Sequence, residues 1–255
     1  MKKIFATILL IFLVATLVAC SFAPVDTTKF DKQNVKVIAH RGLSGLEMEN
    51  TNSAFLSAGQ RTYFGIEADV RKTADGKFII CHDETLLRIS GKNVNVENSL
   101  YQDLMDVVLF GGERLADLDS YISICKQYQK RAVLELKSNF SQDEIAEMIE
   151  IIQNLDYVYG VTFISFNYDN LLYVRNVLPN QKVQYLFSNY SDEILERLVR
   201  DDVDVAISYK ELTKELLKTF HDAGLEVNCW TVDDKKTANK LASWGVDYIT
   251  TNILE

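Results

Sequence analysis

From residue 35 onward the chain alternates two hydrophobic patterns. Short β-branched or aliphatic runs are followed by longer stretches in which apolar residues return at helical spacing. The runs predict strands over 35–40, 63–70, 131–137, 161–166, 182–187, 203–208, 226–232 and 247–250. The periodic stretches predict helices over 51–59, 116–129, 141–154, 168–177, 191–201, 211–223 and 234–244. Thr51 stands at the first helix as an N-cap, and Leu118, Tyr121, Ile122 and Cys125 share one face of the second. Ala223-Gly224 and Gly245 read as C-terminal stops before the last two strands.

Two stretches break the alternation. In 67–83, short apolar runs flank Asp75-Gly76, a strong hairpin signal. A turn centred between those two residues pairs position i with 151 minus i, which sets Asp69 opposite His82 and puts Glu67 on the same face. The link from Val70 to Lys77 is too short for a parallel crossover, so the second arm is an antiparallel excursion. Residues 83–112 are polar and weakly periodic, and they extend that excursion as an insertion. With the hairpin arm set aside, eight strands remain in about 220 residues, the expectation for a (β/α)₈ barrel with a hairpin and short insertion after its second strand. A doubly wound open sheet is the alternative, but no Gly-rich phosphate loop follows the first strand.

The first residues belong to neither pattern. Met1-Lys2-Lys3 is a basic n-region, and 4–18 is an uncharged apolar run, too short for a comfortable membrane span and right for a signal peptide. It ends in Leu17-Val18-Ala19-Cys20, which resembles a bacterial lipobox. Residues 1–19 are thus expected to be a lipoprotein signal peptide and Cys20 the lipidated residue. Residues 20–34 are expected to form a flexible tether, and 35–255 the barrel, at the extracytoplasmic face of the cell membrane. The remaining Cys81, Cys125 and Cys229 are few, odd in number and set among apolar residues, which suggests buried thiols rather than a disulfide framework. Without Lys2 and Lys3, 27 basic residues become 25 against 36 acidic ones, a balance of about −11 that argues against a nucleic-acid partner. Any phosphate-bearing substrate must then be met by a local positive site.

In barrels of this kind the active site lies at the C-terminal ends of the strands. Those ends carry His40 and Arg41, Glu67 and Asp69, Glu135 and Lys137, Phe166 and Trp230, with His82 arriving on the hairpin. Taken singly, each has an ordinary explanation: a core histidine, a rim ion pair, a packed tryptophan. Taken together, carboxylates, cations, imidazoles and aromatics on one rim are not explained by solvation.

The order His40-Arg41-Gly42, Glu49-Asn50-Thr51, Glu67-x-Asp69, Thr73-x-Asp75-Gly76, His82-Asp83, Glu135-x-Lys137 and Trp230-Thr231-Val232 resembles the glycerophosphodiester phosphodiesterase family. The match runs from residue 36 to about 251 and is most specific in its first half. The resemblance implies a (β/α)₈ barrel, and an activity that cuts glycerophosphodiesters such as glycerophosphocholine to glycerol 3-phosphate and an alcohol. On this reading Glu67, Asp69 and Glu135 hold one divalent cation, Ca²⁺ or Mg²⁺, as oxygen ligands suited to a hard ion. Arg41 offers phosphate a bidentate fork and Lys137 a point charge. His40 and His82 supply a general base and a general acid; either assignment is open, with His82 favoured as the acid. Phe166 and Trp230 form an apolar wall against the substrate. Departures fall outside this set: Met48 replaces a proline, Leu115-Ala116-Asp117-Leu118 a Pro-Thr-Leu, and Thr251-Asn252 the aspartate of the final motif. Two competing readings are a related phosphodiesterase acting on intact lipid or wall polymer, whose apolar rim would come from Leu86, Leu87, Leu104 and 107–110, and a non-catalytic binding barrel.

Overall fold

The computed structural model describes residues 26–255, so the signal peptide and Cys20 lie outside the described residues. In chain order the strands are β1 (Lys36–Ala39), β2 (Gly65–Lys72), β3 (Phe78–Ile80), β4 (Ala116–Asp117), β5 (Arg131–Leu136), β6 (Val161–Ser165), β7 (Val183–Phe187), β8 (Asp204–Ser208), β9 (Val227–Trp230) and β10 (Tyr248–Thr251). The helices are α1 (Asn52–Gly59), α2 (Leu87–Ser90), α3 (Tyr101–Met105), α4 (Leu118–Gln127), α5 (Gln142–Asn154), α6 (Tyr168–Val177), α7 (Asp192–Asp201), α8 (Lys214–Asp222) and α9 (Lys235–Trp244). β1, β2, β5, β6, β7, β8, β9 and β10 pair in parallel, and β1 bonds both β2 and β10, so the sheet closes into the expected eight-stranded barrel. Ile38, Val133, Ile164, Leu186, Ala206 and Tyr248 fill its interior, while the larger core lies between strands and helices.

Local chemistry explains the boundaries. Thr51 caps α1 by accepting from the Ala54 amide, as its position implied. The second long helix begins later than periodicity suggested, because residues 116–117 pair with β3. Asp117 and Ser120 then form a capping box. Tyr121 fixes α4 to the barrel, its hydroxyl donating to the carbonyls of Ile66 at 2.7 Å and Val133 at 3.2 Å.

The hairpin register differs from the expectation by one residue. Thr73 N–H donates to Lys77 O and Gly76 N–H to Thr73 O, and only Gly76 of the Asp75-Gly76 pair has positive φ, at 73°. This is a three-residue turn ending in a left-handed glycine rather than a two-residue one. Val70 therefore faces Ile80, and Cys81, not His82, lies opposite Asp69. A slip by one turns the strand over, so His82 reaches the site from the loop beyond β3.

The insertion, read as a polar and weakly periodic excursion, has a core of its own. Ile79, Cys81, Leu86, Ile89, Val96, Leu104, Val107, Leu109 and Leu115 form a separate small core there. Four of the seven apolar residues read as a lipid-facing rim are thereby buried. Leu87, Val108 and Phe110 remain exposed.

The tether reading fails for its described part. Thr28 bridges Leu254, Phe30 is buried in the main core, and Asp31 N–H donates to Asn239 on α9. Glu255 accepts from Thr27 Oγ1 and from the Thr62 amide, and ion-pairs with Lys29 and Arg61. Among the described residues no helix follows β10. Residues 26–34 and 252–255 instead span from α9 to the loop after α1, and Phe30 supplies apolar cover there.

Candidate active site

His40 and Arg41 follow β1 directly. Arg41 has φ of 55° and Gly42 of 75°; a Cβ on Gly42 would lie 2.7 Å from Ala54, so the turn runs hard against α1. This conformation aims the Arg41 amide at Glu67 Oε2, 2.7 Å away. Its guanidinium reaches Glu49 Oε1 at 2.9 Å and Asp69 Oδ2 at 3.4 Å. Glu67 and Asp69 alternate with Ala68 on β2, and register sets Asp69 beside Glu135 on β5. Lys137 Nζ donates to Glu135 Oε1 at 2.8 Å and stands 3.8 Å from Asp69 Oδ1.

His40, Arg41, Glu67, His82, Glu135, Lys137, Phe166 and Trp230 line one pocket of about 190 Å³. Asp69 is buried beside it. Each proposed site residue except Cys20 is therefore in one place. Phe166 and Trp230 meet edge to face at 5.6 Å, and Lys137 Nζ lies 6.0 Å over the Phe166 ring. Ile164, Leu186, Asn228, Thr231 and Thr250 complete the lining. Trp230 Nε1 is buried with no partner, and the peptide bond after Trp230 is cis.

The three carboxylates each offer an oxygen within 4.8 Å of the other two. Glu67 Oε1 and Asp69 Oδ1 are buried without a hydrogen-bond partner among the described residues. Burial, then the charges of Asp69 and Glu135, push the Glu67 carboxyl well above its ordinary range. Burial and Asp69 raise Glu135 to about 7. Burial works on Asp69 as well, but Arg41, Lys137 and His82 together hold it below its usual value. Orphaned buried carboxylate oxygens carry a large desolvation cost. An all-oxygen set of this kind fits a hard divalent cation, which would satisfy those oxygens.

The histidines are held from behind. His40 Nδ1 lies 2.8 Å from Asn252 Oδ1, and Asn252 in turn donates to both carboxylate oxygens of Asp233. With Nδ1 protonated and donating to that amide oxygen, Nε2 keeps its lone pair toward the pocket, 3.9 Å from Glu67. Burial first, then Arg41, lowers the His40 pKa. His82 Nδ1 lies 2.7 Å from Asp83 Oδ1, and Arg71 clamps the His82 carbonyl through Nε and Nη2. Burial lowers the His82 pKa, with Asp69 and Asp83 working against it. Arg88 joins the two halves, bonding Asp83 Oδ2 and both oxygens of Glu49 at 2.7 Å.

Sequence reasoning missed this supporting layer: Asn50, Asp83, Arg88, Asp233 and Asn252. Asn50 and Asp83 stand inside motifs already quoted, and Asn252 follows the last strand; Arg88 carried no signal.

A model of the glycerophosphoryl diester phosphodiesterase family matches residues 40–255. The chain is 28% identical over 226 residues to a glycerophosphodiester phosphodiesterase of Caldanaerobacter subterraneus, covering 85% of this chain and 93% of that protein. It is 27% identical over 230 residues to a putative glycerophosphodiester phosphodiesterase of Bacillus subtilis, with coverage of 85% and 93%. Among solved structures, an Oleispira antarctica phosphodiesterase in complex with the product sn-glycerol-3-phosphate superposes with a TM-score of 0.80 at 27% identity, covering 85% of this chain and 92% of that one. A glycerophosphodiester phosphodiesterase of Parabacteroides distasonis superposes with a TM-score of 0.76 at 30% identity, covering 87% and 94%.

Proposed function

The chain belongs to the glycerophosphoryl diester phosphodiesterase family, and we propose that it hydrolyses glycerophosphodiesters to glycerol 3-phosphate and an alcohol in a metal-dependent reaction. The observation that carries this reading is the set of unpartnered buried oxygens on Glu67 and Asp69, facing two histidines, an arginine and a lysine around one pocket. Glu67, Asp69 and Glu135 would hold one divalent cation, Ca²⁺ or Mg²⁺. When bound, such an ion supplies positive charge against the phosphoryl oxygens of a diester that otherwise repels a nucleophile.

The remaining steps belong to the chain's own residues. Arg41 and Lys137 orient and neutralise the phosphate, the first through a planar fork and the second as a point charge. His40, held in one tautomer by Asn252, takes at Nε2 a proton from the attacking water as its oxygen bonds to phosphorus. As the bond from phosphorus to the leaving oxygen breaks, His82 delivers its proton to that oxygen. The Asp83 carboxylate at 2.7 Å stabilises the imidazolium from which that proton comes. Phe166 and Trp230 wall the glycerol side.

The cellular reading is a lipid-anchored enzyme on the outer face of the membrane, supported by the Leu17–Cys20 sequence. Palmitate labelling of the full chain, lost in Cys20→Ala, tests the anchor; a wild-type protein released unlabelled overturns it.

The activity is tested with residues 21–255 and glycerophosphocholine, with and without Ca²⁺ or Mg²⁺, by assaying glycerol 3-phosphate. Metal-dependent product absent from His82→Ala supports the reading. Undiminished product in excess chelator refutes its metal part.

A further inference from the structure

The pocket that holds the catalytic groups measures about 190 Å³. His82 and Lys137 also line a second, open cleft of about 500 Å³. The two cavities therefore share a wall, and that wall is the proton donor proposed for the leaving oxygen. A general acid must stand within hydrogen-bond reach of the atom it protonates. A leaving group protonated by His82 accordingly departs toward the second cleft.

We propose that this cleft is the leaving-group subsite and that it selects a hydroxyl-rich alcohol, a polyol, over a quaternary ammonium alcohol. The inference rests on the hydrolase reading above and adds the substrate class. Apart from the shared pair, the cleft is lined by Arg71, Asp83, Glu84, Thr85, Leu87 and Arg88. Arg71, Asp83 and Arg88 are committed to partners, with Arg71 bonded to the His82 carbonyl and Glu97. Charges of both signs so fixed present hydrogen-bonding capacity without a strong net attraction for a cation. Thr85 offers a hydroxyl and Glu84 an exposed carboxylate, both suited to the hydroxyls of a polyol. Recognition of a quaternary ammonium group depends on aromatic faces. Among the described residues no Phe, Tyr or Trp lines this cleft. Leu87 stands at its edge as the one large apolar contact and is 54% exposed, so a larger side chain there can be accommodated without disturbing the insertion's core.

The test uses the metal-loaded protein and three diesters of sn-glycerol 3-phosphate, with glycerol, choline and methanol as leaving alcohols. The expected order of kcat/KM is glycerol above choline, and the ratio of the glycerol diester to the methyl diester is the decisive quantity. Leu87→Trp, which fills the cleft, should lower that ratio about tenfold, and Thr85→Val, which removes only the hydroxyl, should lower it several-fold. A preference for choline, or a ratio unmoved by both substitutions while hydrolysis persists, overturns the subsite. Failure of the wild-type protein to hydrolyse all three diesters would instead overturn the hydrolase reading, and this inference with it.

Discussion

Asn50 grips Asp69 with both ends of its amide: Nδ2 donates to Asp69 Oδ2 at 2.8 Å, and Oδ1 accepts the Asp69 backbone N–H at 3.3 Å. The other carboxylate oxygen, Oδ1, is left free of hydrogen bonds and turned to its acidic neighbours. Asn50 is buried and has φ of 57°, a left-handed conformation that asparagine and aspartate tolerate better than most residues. Asn50→Asp therefore keeps shape and backbone while turning the donor into a second negative acceptor. The protein should fold with an unchanged circular dichroism spectrum. Its affinity for the divalent cation should fall by about 10–100-fold, the usual cost of losing an outer partner of a metal ligand. Calorimetric titration with Ca²⁺ or Mg²⁺ measures this, and unchanged affinity would remove Asn50 from the site.

His40 and Asn252 allow a separation of pH dependence from rate. Burial and the neighbouring Arg41 place the His40 pKa below its ordinary 6.5, so the base stays neutral and competent into mildly acidic solution. The acid limb of kcat/KM should therefore lie below pH 6.5. The Asn252 hydrogen bond works the other way, raising that pKa. Asn252→Ala removes it, and the limb should move to lower pH. The rate should also drop, by less than the ~10²–10⁴ a general base contributes, because the imidazole is no longer held in one tautomer. A lower rate with an unmoved limb would mean that Asn252 serves only structure.

Much of the fold was legible because strands buried on both faces read as short apolar runs and the helices over them carry an unbroken 3.6-residue stripe. β6, β7 and α6 differ from their expected limits by a residue or less. The hairpin was misread because Asp-Gly serves two turns equally well, and what distinguishes them is a hydrogen bond from Thr73 to Lys77, not composition. Phe30 is one apolar residue in a polar stretch, and its partners are near the other end of the chain, so no local signal marks its burial. The same distance hid Asn252, 212 residues from His40. Chemistry at strand ends is visible in sequence; the polar residues that aim it come from loops whose meeting is decided by closure of the barrel.

Glu255 secures residues 27–29 to the start of β2. Burial alone would raise its carboxyl, but hydrogen bonds from the Thr62 amide and the Thr27 hydroxyl outweigh it and bring the pKa to about 2. A depressed carboxylate stabilises the fold above its unfolded pKa, ordinarily 4.5, and loses that contribution as pH falls toward 2. Glu255→Gln should thus lower the thermal midpoint at neutral pH, and the gap from wild type should close between pH 4.5 and 2. A gap that stays constant with pH would show that the charge contributes nothing.

Glu67 and Glu135 are raised by burial and by the negative charges they face, Glu135 to about 7. Below that pH Glu135 holds a proton in the metal-free protein, and a cation can take its oxygens only by displacing it. Metal binding and proton release are therefore coupled. Titration with Ca²⁺ or Mg²⁺ in dilute buffer at pH 6 should release protons, and apparent affinity should rise with pH through about 7. At pH 9 Glu135 is already ionised, so the release should be smaller. Glu135→Gln should remove most of that difference while weakening binding, since an amide oxygen is a poorer ligand for a hard cation than a carboxylate. Binding without proton release at pH 6 would mean that the cation does not engage this trio, and the metal assignment would then fail at its ligands even if the enzyme proved metal-dependent.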